Sequence, residues 1–303
     1  MNITKYFKAL SDETRLRLFN LLLHHEFNVN EIVLVMRMGQ SRISRHLKIL
    51  ADAGLLASRR DGSFVYYRSV HNEANQHLVH FISSWASSNQ ELSADLQRAS
   101  EIIQEQKSKT RHFFNSIADD WDRLKQDVLG DIDLNRAILD RAPSCQVAVD
   151  LGCGTGDLLF QLLEKAEQVI GVDSSTGMLD QARNRLFNTP QADLRLGELE
   201  HLPLPNQEAD LAVAHLVLRH IPSPLTAIRE TYRILKPGGR LIITDFDRHD
   251  DESIREQYGG SWLGISADQM RQWLEEAGLS IMETEQYPVH LGLRVNLFVA
   301  CKQ

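Results

Sequence analysis

Residues 147–172 read V-A-V-D-L-G-C-G-T-G-D-L-L-F-Q-L-L-E-K-A-E-Q-V-I-G-V, and Asp173 follows at once. The run spells strand, glycine turn, helix, strand. Residues 147–151 are short, apolar and rich in β-formers, the pattern of a strand buried on both faces. Gly152, Gly154 and Gly156 come at alternate positions. Without Cβ atoms they let the backbone turn sharply and approach a ligand closely. The helix that starts there carries Leu158, Leu159, Leu162 and Leu163 on one face. A second apolar strand, 169–172, ends on Asp173, where a carboxylate can accept both hydroxyls of a ribose. Asp150 precedes the first glycine, so the motif is D-x-G-x-G-x-G and not the G-x-G-x-x-G of dinucleotide sites. An acid at the strand end disfavours a pyrophosphate and suits a cationic ligand. The plainer alternative is a nucleotide-fold turn without a ligand; turn, helix and acid all stand at the spacing of a binding site.

This stretch resembles motif I of the class I S-adenosylmethionine (SAM) methyltransferases, and the resemblance extends over about residues 111–303. It implies an α/β Rossmann-like sheet with an antiparallel last strand, and SAM or S-adenosylhomocysteine (SAH) as cofactor. It sets Asp150, Gly152, Cys153, Gly154 and Gly156 against the amino-acid part of the ligand, and Asp173, followed by Ser174, on the ribose. Met178, in a helix over 175–187, packs either on the adenine or in the core. A third strand over 193–197 leads to Glu198, the implied acid near the adenine amino group, and to Leu199, a backbone contact. His215 follows a fourth strand, 209–214, at the carboxyl edge where open α/β sheets bind ligands; His220 reads as a packing residue. A helix over 221–235, the turn Lys236-Pro237-Gly238-Gly239, a strand over 240–246, a helix over 266–277 and strands 281–285 and 294–301 complete the order. Phe113, Phe114 and Trp121 either close over the ligand or cover the sheet. His215, Tyr258, Tyr287 and His290 are candidate acceptor contacts, and no catalytic residue is assigned. Arsenite methyltransferase chemistry is disfavoured, because it uses clustered reactive cysteines and this chain has only Cys145, Cys153 and Cys301.

The 303 residues, 43% hydrophobic and 24% charged, suit a globular protein of two domains. Three scattered cysteines imply a reducing cytoplasm and no disulfide framework. The sequence has no run of eighteen apolar residues and no signal-peptide pattern at its start, so no membrane association is expected. Charge divides unevenly: residues 1–80 carry 11 Lys+Arg against 7 Asp+Glu, net +4, and the remainder 22 against 34, net −12. A basic head on an acidic body points to nucleic acid as partner of the head alone.

In that head, helices are expected over 4–10, after the cap Ser11-Asp12, after Asn28 or Asn30, and over 42–53 with Ser41 as cap and Gly54 as stop. Two strands, 55–59 and 64–68, flank Arg60-Asp61-Gly62-Ser63, a strong hairpin signal. Residues 1–72 therefore read as a winged helix-turn-helix. Its second helix presents Gln40, Ser41, Arg42, Ser44, Arg45 and His46 to base edges and phosphates. Arg59, Arg60 and Arg68 place the wing on the DNA backbone. The competing reading is a protein-interaction module with a solvated polar face. Residues 5–70 resemble the ArsR/SmtB family of bacterial repressors through F-K-A-L-S-D-E-T-R-L (7–16), Q-S-R-I-S-R-H-L (40–47) and R-D-G-S-F-V-Y-Y (60–67). That resemblance implies operator DNA as partner and a dimer that responds to an effector. The family's metal-sensing Cys pair in the third helix is absent here. His71, His77 and His80 lack carboxylate neighbours at ligand spacing, so no metal is expected.

Between lies a stretch, 73–110, read as a connector helix. From 73 to 107 it has no proline or glycine, and Leu78, Ile82, Trp85, Leu92, Leu96, Ala99 and Ile103 recur at heptad spacing with Asn89 at an a-type position. Homodimerisation through 73–107 is one reading; packing on its own domain is the other. Two functions remain open from sequence: a transcriptional regulator that senses SAM or SAH through a methyltransferase-like body, 111–303, or an active small-molecule methyltransferase with an autoregulatory DNA-binding head. An interaction scaffold is a third, against which the basic recognition edge weighs.

Overall fold

The computed structural model describes residues 3–70, 75–86 and 89–303, so the expectation for His71 lies outside the described residues. The chain forms two compact units, 1–106 and 107–303. In the first, α1 (Ile3–Leu10) leads to α2 (Glu13–His24), capped by Asp12, whose Oδ1 accepts from the Arg15 amide at 3.0 Å. Then come β1 (Phe27–Asn28) and α3 (Val29–Met36). Asn28, not Asn30, caps α3: its Oδ1 accepts from Glu31 N (3.1 Å) while the Glu31 carboxylate accepts from Asn28 N (2.7 Å), a reciprocal capping box. Helix α4 (Gln40–Asp52) begins earlier than expected. Its N-cap is Gly39, which makes no side-chain bond, so Ser41 lies within the first turn and is not the cap. Gly54, at φ +82°, follows its end. Strands β2 (Leu56–Asp61) and β3 (Phe64–Ser69) pair with Asp61 opposite Phe64, leaving Gly62 and Ser63 as a two-residue hairpin turn, and β1 adds to β3. Leu18, Phe19, Ile32, Ile43, Leu47 and Leu50 are fully buried at the centre.

The connector departs from a single uninterrupted helix. It is two helices, α5 (Gln76–Ala86) and α6 (Gln90–Ile117). Asn89 is not a buried register-setting residue: its Oδ1 accepts from Glu91 N (3.0 Å) and Leu92 N (3.1 Å), starting α6. An Asn side chain competes for backbone amides, which favours a helix start over a helix interior. Much of the apolar seam is taken up within the unit, although Trp85 is exposed. Ile82 and Ala99 belong to its core, with Leu78, Leu96 and Ile103 packed against them. Asp95, wholly buried, accepts from Arg17 Nε and Nη2 (2.7 and 2.9 Å).

In the second unit α7 (Trp121–Leu129) and α8 (Leu134–Arg141) precede a seven-stranded sheet. The sheet is built from β4 (Cys145–Leu151), α9 (Asp157–Leu162), β5 (Ala166–Asp173), α10 (Thr176–Arg185), β6 (Ala192–Leu196), β7 (Ala209–His215), α11 (Pro224–Ile234), β8 (Leu235–Phe246), α12 (Glu252–Tyr258), α13 (Ala267–Glu276), β9 (Leu279–Pro288) and β10 (Arg294–Lys302). Strand order is β6-β5-β4-β7-β8-β10-β9, parallel except that β10 runs antiparallel between β8 and β9. This is the Rossmann-like fold with an inserted antiparallel last strand that the sequence implied. Both faces of the parallel strands are covered, so Val149, Val169, Leu211, Val213 and Ile242 are fully buried. The Lys236-Pro237-Gly238-Gly239 stretch is not a separate turn. It is a bulge inside β8, where Ala209 pairs with Leu235 and Leu211 with Arg240, and Gly238 takes φ +78° to allow it. The helix after β7 starts at Pro224, preceded by a 3-10 turn, Leu218–His220.

Candidate ligand cleft and nucleic-acid edge

The carboxyl ends of β4, β5, β6 and β7 open on one cleft of the second unit, of about 1080 Å³ counting its open mouth. Asp150, Gly152, Cys153, Gly154, Asp173, Ser174, Met178, Glu198, Leu199 and His215 line it together. Gly156, expected beside them, does not. A Cβ there would meet Ala182 Cβ at 3.1 Å, so it serves the close approach of α9 and α10. Gly152, at φ +73°, turns over the cleft floor, and a Cβ on it would stand 2.3 Å from Val217 Cγ2. A side chain at this position would fill the floor and strain the backbone.

Asp173 ends β5 and ties two elements. Its Oδ2 accepts from Gly154 N (2.9 Å) and its Oδ1 from Ser175 N (2.8 Å). Burial pushes its pKa up while those amides pull it down, with the net upward. Asp150 is more isolated: it is buried, and its Oδ1 has no hydrogen-bond partner. Burial first, then the neighbouring Asp173 charge, raises its pKa to about 7. A buried acid in this state attracts a cation, which restores the charged form. His215 bonds Thr244 Oγ1 through Nδ1 (2.6 Å) and leaves Nε2 unpartnered; burial, with Lys125 and Arg219 nearby, lowers its pKa to about 3, so the ring is neutral. His220 does more than pack. It lines the cleft, and its Nδ1 faces the Gly259 carbonyl (3.1 Å), which can only accept. The proton therefore sits on Nδ1, and the unpartnered Nε2 is an acceptor.

The opposite wall comes from the C-terminal part of α6 and from α7. Lys107, Thr110, Arg111, Phe114, Trp121 and Lys125 line the cleft. Phe114 stands edge-on to both Trp121 (5.4 Å) and His220 (4.9 Å), whereas Phe113 is absent from the lining and lies against Gly259. Asn115 anchors this wall, its Oδ1 accepting from Ser175 Oγ (2.7 Å) and Gly177 N (3.0 Å). Lys107 Nζ donates to Glu198 Oε2 (2.6 Å) and reaches Glu200 Oε1 at 3.2 Å. Burial lowers the Lys107 pKa, but these two carboxylates outweigh it and the net shift is upward. Sequence reading assigned none of Lys107, Lys125, Thr155 or Glu200 to the site. For Lys107 and Lys125 the signal was positional only, since a helix face that meets a sheet edge from another part of the chain leaves no spacing motif; Thr155 stands inside the glycine turn and Glu200 two residues after Glu198. Tyr258 lines a smaller cavity beside the cleft, with Arg219 and Phe246. Tyr287 donates to Glu285 (2.7 Å) and His290 lies on Gly130; neither lines the cleft.

In the first unit, Gln40, Ser41, Arg42, Ser44 and Arg45 are exposed on α4. Arg42 reaches Thr14 Oγ1 at 3.4 Å, and Arg45 makes no ion pair among the described residues. His46 departs from the expected edge. It is half-buried, turned toward Asp12 with Nδ1 3.6 Å from Oδ1, and burial lowers its pKa. Arg59 is committed within the fold, to Glu26 (2.7 Å) and over the Tyr66 ring (4.5 Å). Arg60 stays exposed at the hairpin tip, bonded to Gly62 O (3.0 Å), and Arg68 is half-buried. Among the described residues no group of three or more His, Cys, Asp or Glu could hold a metal ion, and no helix is long and apolar enough to cross a membrane.

Two family descriptions fit the chain: "Bacterial regulatory protein, arsR family" over residues 12–58 and "Methyltransferase domain" over 149–243. An uncharacterized 37.1 kDa protein in transposon TN4556 of Streptomyces fradiae is 42% identical over 112 residues, covering 36% of this chain and 32% of that protein. A demethylmenaquinone methyltransferase of Lactiplantibacillus plantarum is 36% identical over 113 residues, covering 35% of this chain and 48% of the enzyme. The chain thus spans a third to a half of the length of these curated relatives. Among solved structures, the [4+2]-cyclase SpnF shares the fold with a TM-score of 0.50 at 21% identity, over 56% of this chain and 79% of that one. A cyclase on this fold shows that the fold does not fix the chemistry. A methyltransferase domain takes SAM and returns SAH, and the residues fit that group: the orphaned Asp150 oxygen suits its cationic end, and the Cβ-free floor at Gly152 leaves it room. Residues 12–58 of this chain thus match the arsR family of regulatory proteins and residues 149–243 a methyltransferase domain.

Proposed function

We propose that the protein is a DNA-binding transcriptional regulator, a repressor acting as a homodimer, that senses SAM or SAH through its methyltransferase domain. The exposed recognition edge carries this reading: Gln40, Ser41, Arg42, Ser44 and Arg45 stand in solvent on α4, with the lengths and donors that read base edges and phosphates. A methyltransferase that acts only on small molecules has no use for that surface. In the other unit Asp173 would hold the ribose hydroxyls, Asp150 the cationic end and the Gly152–Gly154 backbone the amino-acid part, with Met178 and Leu199 against the adenine. Bound SAM supplies an electrophilic methyl group. Occupancy acts on DNA only to the extent that ligand binds the DNA-competent state and its alternative with different affinity.

A working small-molecule methyltransferase with an autoregulatory head is the second reading. It is favoured by the methyltransferases among the curated relatives and by the His220 Nε2, a neutral acceptor at the cleft able to receive the X–H of a methyl acceptor.

The deciding experiment is calorimetric titration of SAM and SAH into the protein, alone and with its own promoter DNA. A ligand affinity that DNA changes establishes linkage, and by reciprocity ligand then changes DNA affinity by the same factor. Equal affinities with and without DNA would reject the sensor. The same titration has an expected pH profile. Asp150 titrates at about 7 when free of ligand, and a cationic ligand binds its ionised form. Affinity should therefore be flat above pH 7 and fall about tenfold per unit below it, since one unit is ~1.4 kcal/mol. Asp150→Asn should flatten the profile; a flat profile in the unaltered protein would separate Asp150 from the cation.

A further inference from the structure

We propose that Lys107, paired with Glu198 and Glu200, is the latch through which cleft occupancy reaches the DNA-binding unit, with α6 as the element that carries the signal. This rests on the sensor reading above and names its route.

Helix α6 runs unbroken over Gln90–Ile117, and the division between the two units falls within it, between 106 and 107. Its N-terminal part is fastened into the helix-turn-helix unit by directional bonds. Asp95 holds Arg17 of α2 at 2.7 and 2.9 Å, Arg98 Nε donates to the Val35 carbonyl of α3 at 2.7 Å, and Gln106 donates to Glu31 at 2.6 Å. Those partners sit on α2 and α3, the helices that pack directly on α4. Its C-terminal part supplies Lys107, Thr110, Arg111 and Phe114 to the cleft wall. These are positions i, i+3, i+4 and i+7, one face of a helix. No other element of the described residues has both roles.

Within that wall Lys107 is the one charge of α6 locked across the cleft onto the opposite rim, on the segment after β6 that carries Glu198 and Glu200. The Lys107 side chain is little exposed (14%), as is Glu200 (8%), while Glu198 is a third exposed (33%). A ligand entering between this rim and α6 must donate to Glu198 alongside the ammonium or displace the ammonium from it. A largely buried ammonium beside the buried Glu200 cannot lose its partners without a cost, so the arrangement is two-state: Lys107 on the rim, or ligand on the rim and Lys107 released. Release unties α6 at Lys107 from the rim after β6, while the bonds of Asp95, Arg98 and Gln106 keep its N-terminal part in the head. The second observation is Asn115. It bonds Ser175 and Gly177 next to the Asp173 turn, so the same helix also meets the second ligand-facing strand end.

The test uses the full-length protein, SAH as probe and promoter DNA. Lys107→Met keeps the aliphatic stem and removes the charge; Lys107→Arg keeps the charge. With Lys107→Met, SAH should bind at least as tightly as to the unaltered protein, because its competitor for Glu198 is gone. The SAH-induced change in DNA affinity should drop to near onefold. Lys107→Arg should restore most of that change. A Lys107→Met protein whose DNA affinity responds to SAH by the same factor as the unaltered protein overturns the latch. An unaltered protein whose DNA affinity ignores SAH overturns the sensor reading itself, and is told apart because no variant is needed to see it.

Discussion

Asp173→Ala should abolish measurable binding of SAM and SAH at concentrations that saturate the unaltered protein, and with it any ligand response on DNA. The carboxylate is bonded by Gly154 N and Ser175 N, at 2.9 and 2.8 Å. Truncation leaves both amides without that partner, each at ~1–3 kcal/mol, and removes the proposed acceptor of the ribose hydroxyls. Losing one such bond to the ligand and loosening the loop that floors the cleft should cost at least ~3 kcal/mol, a hundredfold or more in affinity. Asp173→Asn keeps one acceptor oxygen and should fall between. DNA affinity is the control: a folded Asp173→Ala protein, checked by its thermal melt, should hold promoter DNA as the unaltered protein does. If it binds SAH normally, the ribose assignment is wrong.

Arg45→Ala is the reciprocal change. Arg45 is exposed on α4 and in no ion pair among the described residues, so nothing in the fold depends on its guanidinium. A well-placed Arg contact to a base edge is worth ~1–3 kcal/mol, so promoter affinity should fall about tenfold to a hundredfold with the SAH titration unchanged. The loss should be larger on the promoter than on unrelated DNA if Arg45 reads a base, and equal on both if it meets phosphate. Promoter binding that survives Arg45→Ala intact would move recognition away from α4. His46 and Arg59 are expected to behave differently. His46 faces Asp12 and Arg59 is bound to Glu26 and Tyr66, so their removal acts first on the stability of the head.

The glycine loop and its flanking acids were legible because the chemistry is local. A strand end, a turn that needs left-handed backbone and a carboxylate at the next strand end all fall within 27 residues, 147–173, and each leaves its own residue type. A helix cap at Asn28 or Asn30, the stop at Gly54 and the hairpin at Gly62 were legible for the same reason. Periodicity left the partner open where two could satisfy it equally. The seam from Leu78 to Ile103 has the spacing of a coiled coil, and the structure uses it inside the first unit, with Asn89 diverted to cap α6. Heptad spacing states that one helix face is apolar and says nothing of what covers it. The charged residues of the wing and recognition helix were read as a surface by type alone. Burial then turned His46 and Arg59 inward, because a long polar side chain takes whichever ion partner the packed neighbours offer.

What the sequence by itself determined is the kind of each half: a basic helix-turn-helix with a hairpin, and a parallel α/β sheet with a ligand turn after its first strand. These follow from residue identities a few positions apart. Only the tertiary structure decided that Gly156 serves helix packing while Gly152 floors the cleft, that His220 offers a bare Nε2 to it, and that Lys107 closes on Glu198 and Glu200. Those pairs lie 26 to 93 residues apart in sequence. Contacts at such separation are set by how helices and strand ends meet once the core has closed, and no local spacing encodes them.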